Sequence, residues 1–480
     1  MMDTLLVDPR LLPQQQEPDH HIDDLSRGEW PSHSSDTSSS AKGLVYEMSG
    51  SPSTIRVAIL GGGLIGALLL RGLLRYRHIA VDIYETRPTF REEGQGIAIT
   101  ETAQNILHDL DPSIGHCLYK AGTVQTTATA IHVASGPAAG QKIRTKGTHI
   151  DPKKFVSRQA LLDELLKGTP PRMTHVNARI SHITELAGVE GLLLVFADGT
   201  QKKYDVVIGA DGTHSTTRQH VLGAGDPAVK PQHTGVWALP ITVPIQAARD
   251  AMGPDFLSPE SPRQSAWIAD GVMLQSDIIN DGKDVAVCVF VRHDDTADDS
   301  SWARLFTPDE FIDIFAHIPL QPCRGIINLI QNAYTVQLTG ICQMQHLPAR
   351  SYVTKNVGLI GDAAHSMLVF QGSNVVIACE EALILSTLLG RASSRDYIPA
   401  ALQAYDQVCR PRAEPVVRYA RECGRILTGR GPGIGLNPDL IGQAIETAWA
   451  GLTRPNIEDL RTIAIDIMDG ILSMDAAAWQ

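Results

Sequence analysis

The segment Ile55-Arg56-Val57-Ala58-Ile59-Leu60-Gly61-Gly62-Gly63-Leu64-Ile65-Gly66, running on into Ala67 to Leu74, constrains the fold more than any other part of the chain. It reads as a buried strand, a G-x-G-x-x-G turn and an apolar helix. In that arrangement Gly61 permits the tight turn, Gly63 lets backbone approach a pyrophosphate, and Gly66 lets the helix close on the strand. The helix N-terminus then offers free N–H groups and a positive dipole end to an anion. Taken alone, the pattern fits a structural glycine turn equally well.

A second strand, Ala80 to Tyr84, ends in Glu85 about twenty residues past the glycines, where an acidic side chain accepts hydrogen bonds from an adenosine ribose. A carboxylate there repels a 2'-phosphate. The position suits FAD or NAD and disfavours NADP as the resident nucleotide.

The chain has 480 residues, which predicts two or three domains, and a net charge of -12, which leaves no basic stripe for nucleic acid. Seven scattered cysteines without a C-x-x-C pair read as reduced thiols, with neither a disulfide framework nor a metal site expected. The apolar run from Gly61 to Leu70 stops at Arg71, short of the roughly 20 residues of a membrane helix. With no signal-peptide order at the N-terminus, a cytoplasmic protein without a membrane span, working on a small molecule, is the expectation.

Residues 1–52, with Gln14-Gln15-Gln16 and a serine-rich run from Ser32 to Ser40, are expected to form a disordered tail. Its His20-His21 pair is read as solvated. From 53 the pattern alternates strand and helix, with helices at 64–76, 101–110 and 158–166 and a strand at 127–133; Leu192 to Phe196 and Tyr204 to Ile208 read as a hairpin around Asp198-Gly199. Between 231 and 348 the texture becomes mixed, with strands at 237–243, 272–275, 285–291 and 334–338 and a helix at 308–316. A buried strand returns at Val357 to Ile360, before a long apolar helix at 375–389.

The expected architecture is therefore α/β: a Rossmann-like nucleotide-binding domain (53–230 and 349–425) interrupted by a mixed α+β substrate domain (231–348), then a helical C-terminal extension (426–480). In that extension Ile441, Ile445, Ala448 and Leu452 share a packing face.

Two further strand-to-turn motifs follow: Asp205 to Ser215, containing Asp211-Gly212, and Gly358-Leu359-Ile360-Gly361-Asp362-Ala363-Ala364-His365. Either aspartate could serve a ligand at a strand's carboxyl end or cap a helix. Together with Phe90 to Ala98, Ser157 to Leu162 and Tyr405 to Arg412, the three motifs resemble the class A flavoprotein aromatic hydroxylases of the p-hydroxybenzoate hydroxylase fold. Within that family the texture is similar to the fungal salicylate-hydroxylase-like monooxygenases.

The resemblance covers roughly 53 to 425 and implies FAD as resident cofactor with NADPH as transient co-substrate. It implies that Gly61, Gly63 and Gly66 meet the pyrophosphate, Glu85 the ribose, and Arg158 the phosphate and ribitol region, with Ala98 lining the cofactor. Asp211 would contact FAD and transiently NADPH, Asp362 a ribitol hydroxyl, and the backbone at Gly372 and Val375 the flavin pyrimidine ring. The implied reaction is hydroxylation of an electron-rich phenol or polyketide-derived metabolite through a flavin C4a-hydroperoxide.

The chain departs from that pattern at Val369, where proline is usual, at Asn374, where the second glycine is usual, and at Val376, where a small or amide residue is usual. Asn374 is expected to tolerate a left-handed backbone. Val236 to Pro240 also lacks the arginine with which relatives hold a phenolate, so either the substrate is not an acidic phenol or another residue supplies the contact. The altered loop motivates two further readings, a same-fold flavoprotein doing a redox or rearrangement step and a non-catalytic binding protein. His365 is expected to be structural, the Asp294 to Asp299 run a solvated turn, and Trp237 and Trp267 either pocket or core.

Overall fold

The structure, a computed structural model, describes residues 54–92, 96–126, 129–144, 153–185, 191–253, 256–257, 264–293, 302–333, 338–450 and 456–478. The expected N-terminal tail with its histidine pair, the aspartate run at 294–299, most of the expected strand at 334–338, and Leu452 lie outside the described residues.

The chain begins with β1 (Ile55–Leu60), α1 (Leu64–Leu73), β2 (Ile79–Tyr84), β3 (Gly96–Thr100), α2 (Glu101–Leu110), α3 (Ile114–Lys120), β4 (Val124–Thr126) and β5 (Thr129–Val133). It continues through β6 (Lys153–Ser157), α4 (Arg158–Leu166), β7 (Thr174–His175), β8 (Ile180–Glu185), β9 (Leu192–Phe196), β10 (Gln201–Tyr204), β11 (Val206–Gly209) and α5 (Thr216–Leu222). The middle holds β12 (Gln232–Pro244), α6 (Ile245–Met252), β13 (Gln264–Ala269), β14 (Val272–Ile279), β15 (Asp284–Arg292), β16 (Ala303–Phe306), α7 (Pro308–Phe315), α8 (Gln321–Ala333) and β17 (Leu338–Gln345). Last come β18 (Val353–Thr354), β19 (Val357–Leu359), α9 (Asp362–His365), α10 (Ser373–Arg391), α11 (Ile398–Leu427), α12 (Pro438–Ala450) and α13 (Ile457–Ala478).

A six-stranded sheet in the order β18-β19-β11-β1-β2-β7 forms the first layer. Strands β7, β2, β1, β11 and β19 are parallel, and only β18 runs against its neighbour. Such strands are covered on both faces, which is why β1 and β11 are unbroken apolar runs. Helix α1 has eight buried residues because it is wedged between this sheet and α10. Helix α10 is long and apolar enough to cross a membrane, but it is mostly buried among α1, α2, α11 and α13 and serves as a core helix.

The hairpin at Asp198-Gly199 is shorter than its sequence pattern suggests. Strand β9 pairs with β10, and Val206 to Gly209 belongs to the parallel sheet instead. Tyr204 ends the hairpin and Asp205 turns the chain: its carboxylate accepts from the Arg56 N–H at 2.7 Å and pairs with Arg395 at 3.1 Å.

A seven-stranded sheet in the order β16-β17-β12-β15-β14-β13-β5 stands apart from the first. Its edge strand β5 comes from the first part of the chain and pairs with β13 in parallel. One face packs on α6 and α8 through Trp237, Leu239, Trp267, Leu274, Val287 and Val289. Trp237 and Trp267, 3% and 1% exposed, are core residues. The other face turns toward the small sheet β3-β6-β4 and the segment leading into α10.

In the C-terminal helices Ile441, Ile445 and Ala448 are buried as their spacing implies. All seven cysteines are free thiols.

A cofactor cradle at the carboxyl ends of the parallel strands

Because β1, β2, β11 and β19 are parallel, the residues that follow them emerge along one edge: Gly61, Glu85, Asp211 and Asp362. At the centre of that edge the glycine turn has no room for side chains. Gly61 takes φ +116°, and a Cβ there would lie 2.1 Å from the Ala210 carbonyl oxygen. A Cβ on Gly66 would lie 2.1 Å from the Gly61 oxygen, so its absence closes α1 onto the turn. At Gly63 the added atom would meet only the Glu92 carboxylate, at 2.7 Å.

The position of Glu92 gives a direct test of whether the cradle suits a phosphate. One of its oxygens accepts from the Leu64 N–H at 2.6 Å, in the first turn of α1. The other accepts from Arg158 Nε and Nη2 at 2.9 and 2.8 Å. A carboxylate thus stands where phosphate oxygens would, held by a helix N-terminus on one side and a guanidinium on the other. Arg158 is delivered by α4, whose Ser157 side chain accepts from the Ala160 N–H as a cap.

Glu85 follows β2 and is 9% exposed. Its carboxylate accepts from the N–H groups of Gly62 at 3.1 Å and Arg87 at 2.9 Å, so it braces the glycine turn.

Asp211 is occupied otherwise. Its oxygens accept from the Ser215 hydroxyl at 2.5 Å, the Thr217 N–H at 3.0 Å and the Thr217 hydroxyl at 3.0 Å, which fastens the first turn of α5. Of the two roles its spacing allowed, the helix-fastening one is visible in these contacts.

Asp362 behaves differently. Its side chain is exposed and makes no hydrogen bond or ion pair among the described residues. Yet surrounding protein strips enough hydration to raise its carboxyl pKa, against the opposing pull of His365 and Arg158. A carboxylate that is open to solvent yet walled by protein lines a cleft, and an unspent acceptor suits a hydroxyl-bearing ligand.

The turn carrying Asp362 is held from behind by residues that sequence reasoning missed. Glu381 of α10 accepts from the Gly361 N–H at 2.9 Å and pairs with His365 Nε2 at 2.6 Å. Burial alone would lower the His365 pKa, but the Glu381 charge and hydrogen bond outweigh it and raise it. Arg218 of α5, fully buried, donates to the carbonyls of Ala228 at 2.7 Å, Ala363 at 3.1 Å, Leu347 at 3.2 Å and to that of Ala364. Desolvation lowers its pKa to about 10, so it stays charged at neutral pH. Neither residue has a local signature, since Glu381 and Arg218 act across 20 and 145 positions respectively.

At the other end of the cleft Gly372 adopts the left-handed conformation, φ +65°, and starts α10 without a side-chain cap, with Val375 half-buried in the first turn. Asn374 lies inside that helix and needs no left-handed backbone, which corrects the expectation for it. Val369 is 39% exposed, while the neighbouring Phe370 is buried against Phe290, ring centroids 4.8 Å apart. Ala98 is half-buried against the cluster of Phe155, Ile279 and Ala286 where the small sheet meets the large one. A separate opening of about 210 Å³, lined by Gly191, Asp205, Asn356 and Arg395, lies at the amino ends of β11 and β19 and plays no part in this edge.

No model of a protein family matches the chain. It is 34% identical over 381 residues to a 6-methylsalicylate 1-monooxygenase of Aspergillus terreus, spanning 78% of this chain and 83% of that protein. A salicylate hydroxylase of Pseudomonas putida is 28% identical over 417 residues, 84% of this chain and 93% of that protein. Among solved structures, a salicylate hydroxylase substrate complex superposes with a TM-score of 0.72 at 27% identity, covering 86% of this chain and 98% of that one. With its glycine turn, anion-binding helix end and unspent Asp362 on one strand edge, the chain belongs to the class A FAD-dependent aromatic hydroxylases.

Proposed function

We propose that this protein is a monooxygenase of fungal secondary metabolism that uses FAD, NADPH and O2 to hydroxylate a small phenolic or polyketide-derived metabolite. The observation that carries it is the anion position at α1, where the Leu64 N–H and Arg158 hold a carboxylate in the place a pyrophosphate would take. FAD, when bound, would supply the redox and oxygen chemistry, with electrons from NADPH.

In this reading the chain's own residues bind and orient. Gly61, Gly63 and Gly66 leave backbone free to approach the phosphates, Glu85 takes the adenosine ribose, and Arg158 exchanges Glu92 for a phosphate. Asp362 accepts from a ribitol hydroxyl, held in place by Glu381 and Arg218. The uncapped first turn of α10, from Gly372 to Val375, favours negative charge on a ring lying across it. Asp211 acts through the backbone of its turn, and Ala98 borders the cofactor from the small sheet.

The working division is a nucleotide-binding domain of 53–230 and 349–425, a substrate domain of 231–348 completed by β5, and a helical extension of 426–480. A cytoplasmic location is part of the proposal, supported by the seven free thiols.

The test is flavin retention. Purified protein should be yellow, and Asp362→Ala should lose FAD affinity while keeping its melting temperature. Unchanged FAD affinity in that variant would remove the assigned role.

A further inference from the structure

The inner face of the seven-stranded sheet carries a buried carboxylate, Asp277, among largely apolar neighbours. Side chains alternate along a strand, so Met273, Gln275, Asp277 and Ile279 share one face of β14, and their partners Phe290, Cys288 and Ala286 share that face of β15. At one end of this face Phe290 meets Phe370, beside the start of α10. At the other, Ile279 and Ala286 pack on Phe155 of β6.

Between these ends lies a hydrogen-bonded cluster. Gln264 Nε2 donates to one Asp277 oxygen at 2.9 Å, Gln275 Nε2 to the other at 2.6 Å, and the Thr129 hydroxyl to Gln264 Oε1 at 2.6 Å. Both carboxylate oxygens are therefore engaged.

Lys153 precedes Phe155 by two positions on β6, so both side chains leave the strand on the side facing this sheet. Its ammonium feels the Asp277 charge but makes no hydrogen bond or ion pair among the described residues. Enclosed ammonium groups are costly without an acceptor, and the three N–H donors of Lys153 remain unspent here. Arg292, a second cation of the same face, is spent on the Thr428 hydroxyl and the Thr234 carbonyl.

We propose that Lys153 is a specificity-determining residue whose ammonium holds an anionic oxygen, carboxylate or phenolate, of the aromatic substrate on the inner face of this sheet. Asp277, fixed by Gln264 and Gln275, acts on the ammonium through its charge rather than by direct contact. Gln275 is two and Asp277 four residues from Met273, which places the polar cluster about 7 to 14 Å along the strand from the Phe290–Phe370 contact. The substrate's ring then lies toward α10 with its charged oxygen directed away. This rests on the monooxygenase reading, and it supplies the cation that Val236 to Pro240 lacks.

The experiment is equilibrium binding to FAD-loaded protein, read by flavin fluorescence, of a panel of hydroxylated aryl carboxylates and their neutral carboxamides. The wild type should bind the best carboxylate about tenfold or more tighter than its amide. Lys153→Gln should abolish that preference, Lys153→Met should do the same, and Lys153→Arg should retain it. A wild type without preference for the anion, a panel in which no carboxylate binds, or a preference that survives in either neutral variant overturns the proposal. Hydroxylation does not enter this readout. Failure of the monooxygenase reading would appear separately, as absent oxygen incorporation with the charge preference intact.

Discussion

His365 and Glu381 form an ion pair in the interior, Nε2 to Oε1 2.6 Å, with the two side chains only 4% and 1% exposed. The other Glu381 oxygen holds the Gly361 N–H, so one carboxylate fixes both ends of the turn that presents Asp362. A histidine whose folded pKa is raised contributes stability that is full below its ordinary value near 6.5 and is lost as pH climbs through the raised one. Glu381→Gln should therefore lower the melting temperature more at pH 6 than at pH 9. Thermal melts of the two proteins across that range check the sign; a loss that grows toward pH 9 contradicts it.

Arg218 is a second support for the same turn. Shortening it to lysine in Arg218→Lys keeps the charge but cannot reach four carbonyls from one planar fork. Each buried acceptor left unpaired costs roughly 1–3 kcal/mol, so a fall in unfolding free energy of at least about 2 kcal/mol is expected. Chemical denaturation measures it, and a loss within 0.5 kcal/mol, roughly the scale of ordinary surface substitutions, would show that the contacts carry little.

The glycines of the turn should separate folding from cofactor binding. Gly66→Ala drives a methyl into the Gly61 carbonyl and should cost about 1–3 kcal/mol of stability. Gly63→Ala meets only the end of the flexible Glu92 side chain, at a backbone φ of -77° that alanine accepts. It should melt near the wild-type temperature yet bind FAD at least about tenfold more weakly, because its methyl occupies the phosphate approach. Calorimetry and flavin titration together read both effects.

Asp277 offers a pH test with the opposite chemistry. Burial pushes its carboxyl pKa up to about 6, from 3.8, despite the help of Gln275, Gln264 and Lys153. An acid with a raised folded pKa favours the native state at low pH, and that advantage disappears as pH rises through about 6. Asp277→Asn cannot ionise, so its stability relative to wild type should increase between pH 4 and 7, by at most about 3 kcal/mol. Melting temperatures of both proteins at several pH values are sufficient, and parallel curves would contradict the shift.

Local patterns carried most of what could be read from the chain. The glycine turn with its strand and helix, the end of β2 at Glu85, and α4 starting at Arg158 are specified within a dozen residues each, by apolar runs, a cap and a φ only glycine tolerates. The hairpin boundary was misplaced because Gln201 to Tyr204 and Val206 to Gly209 are separated by Asp205 alone, and alternation does not say which sheet a strand joins. The roles of Glu381, Arg218, Lys153 and Asp277 were invisible for a different reason. Each residue meets its partners only through tertiary folding, and no local spacing announces an interaction 20 or more positions away.

The central claim is that the cradle at Gly61, Arg158 and Asp362 serves oxygen transfer to an aromatic ring. The decisive measurement is aerobic incubation of the FAD-loaded protein with NADPH, isotopically labelled O2 and a panel of phenolic metabolites, followed by mass spectrometry. The account predicts a product that gains one labelled oxygen atom, formed only when NADPH is present. A yellow protein that oxidises NADPH but inserts label into no member of the panel would contradict it and leave the redox reading of the altered Val369 to Val376 loop in its place.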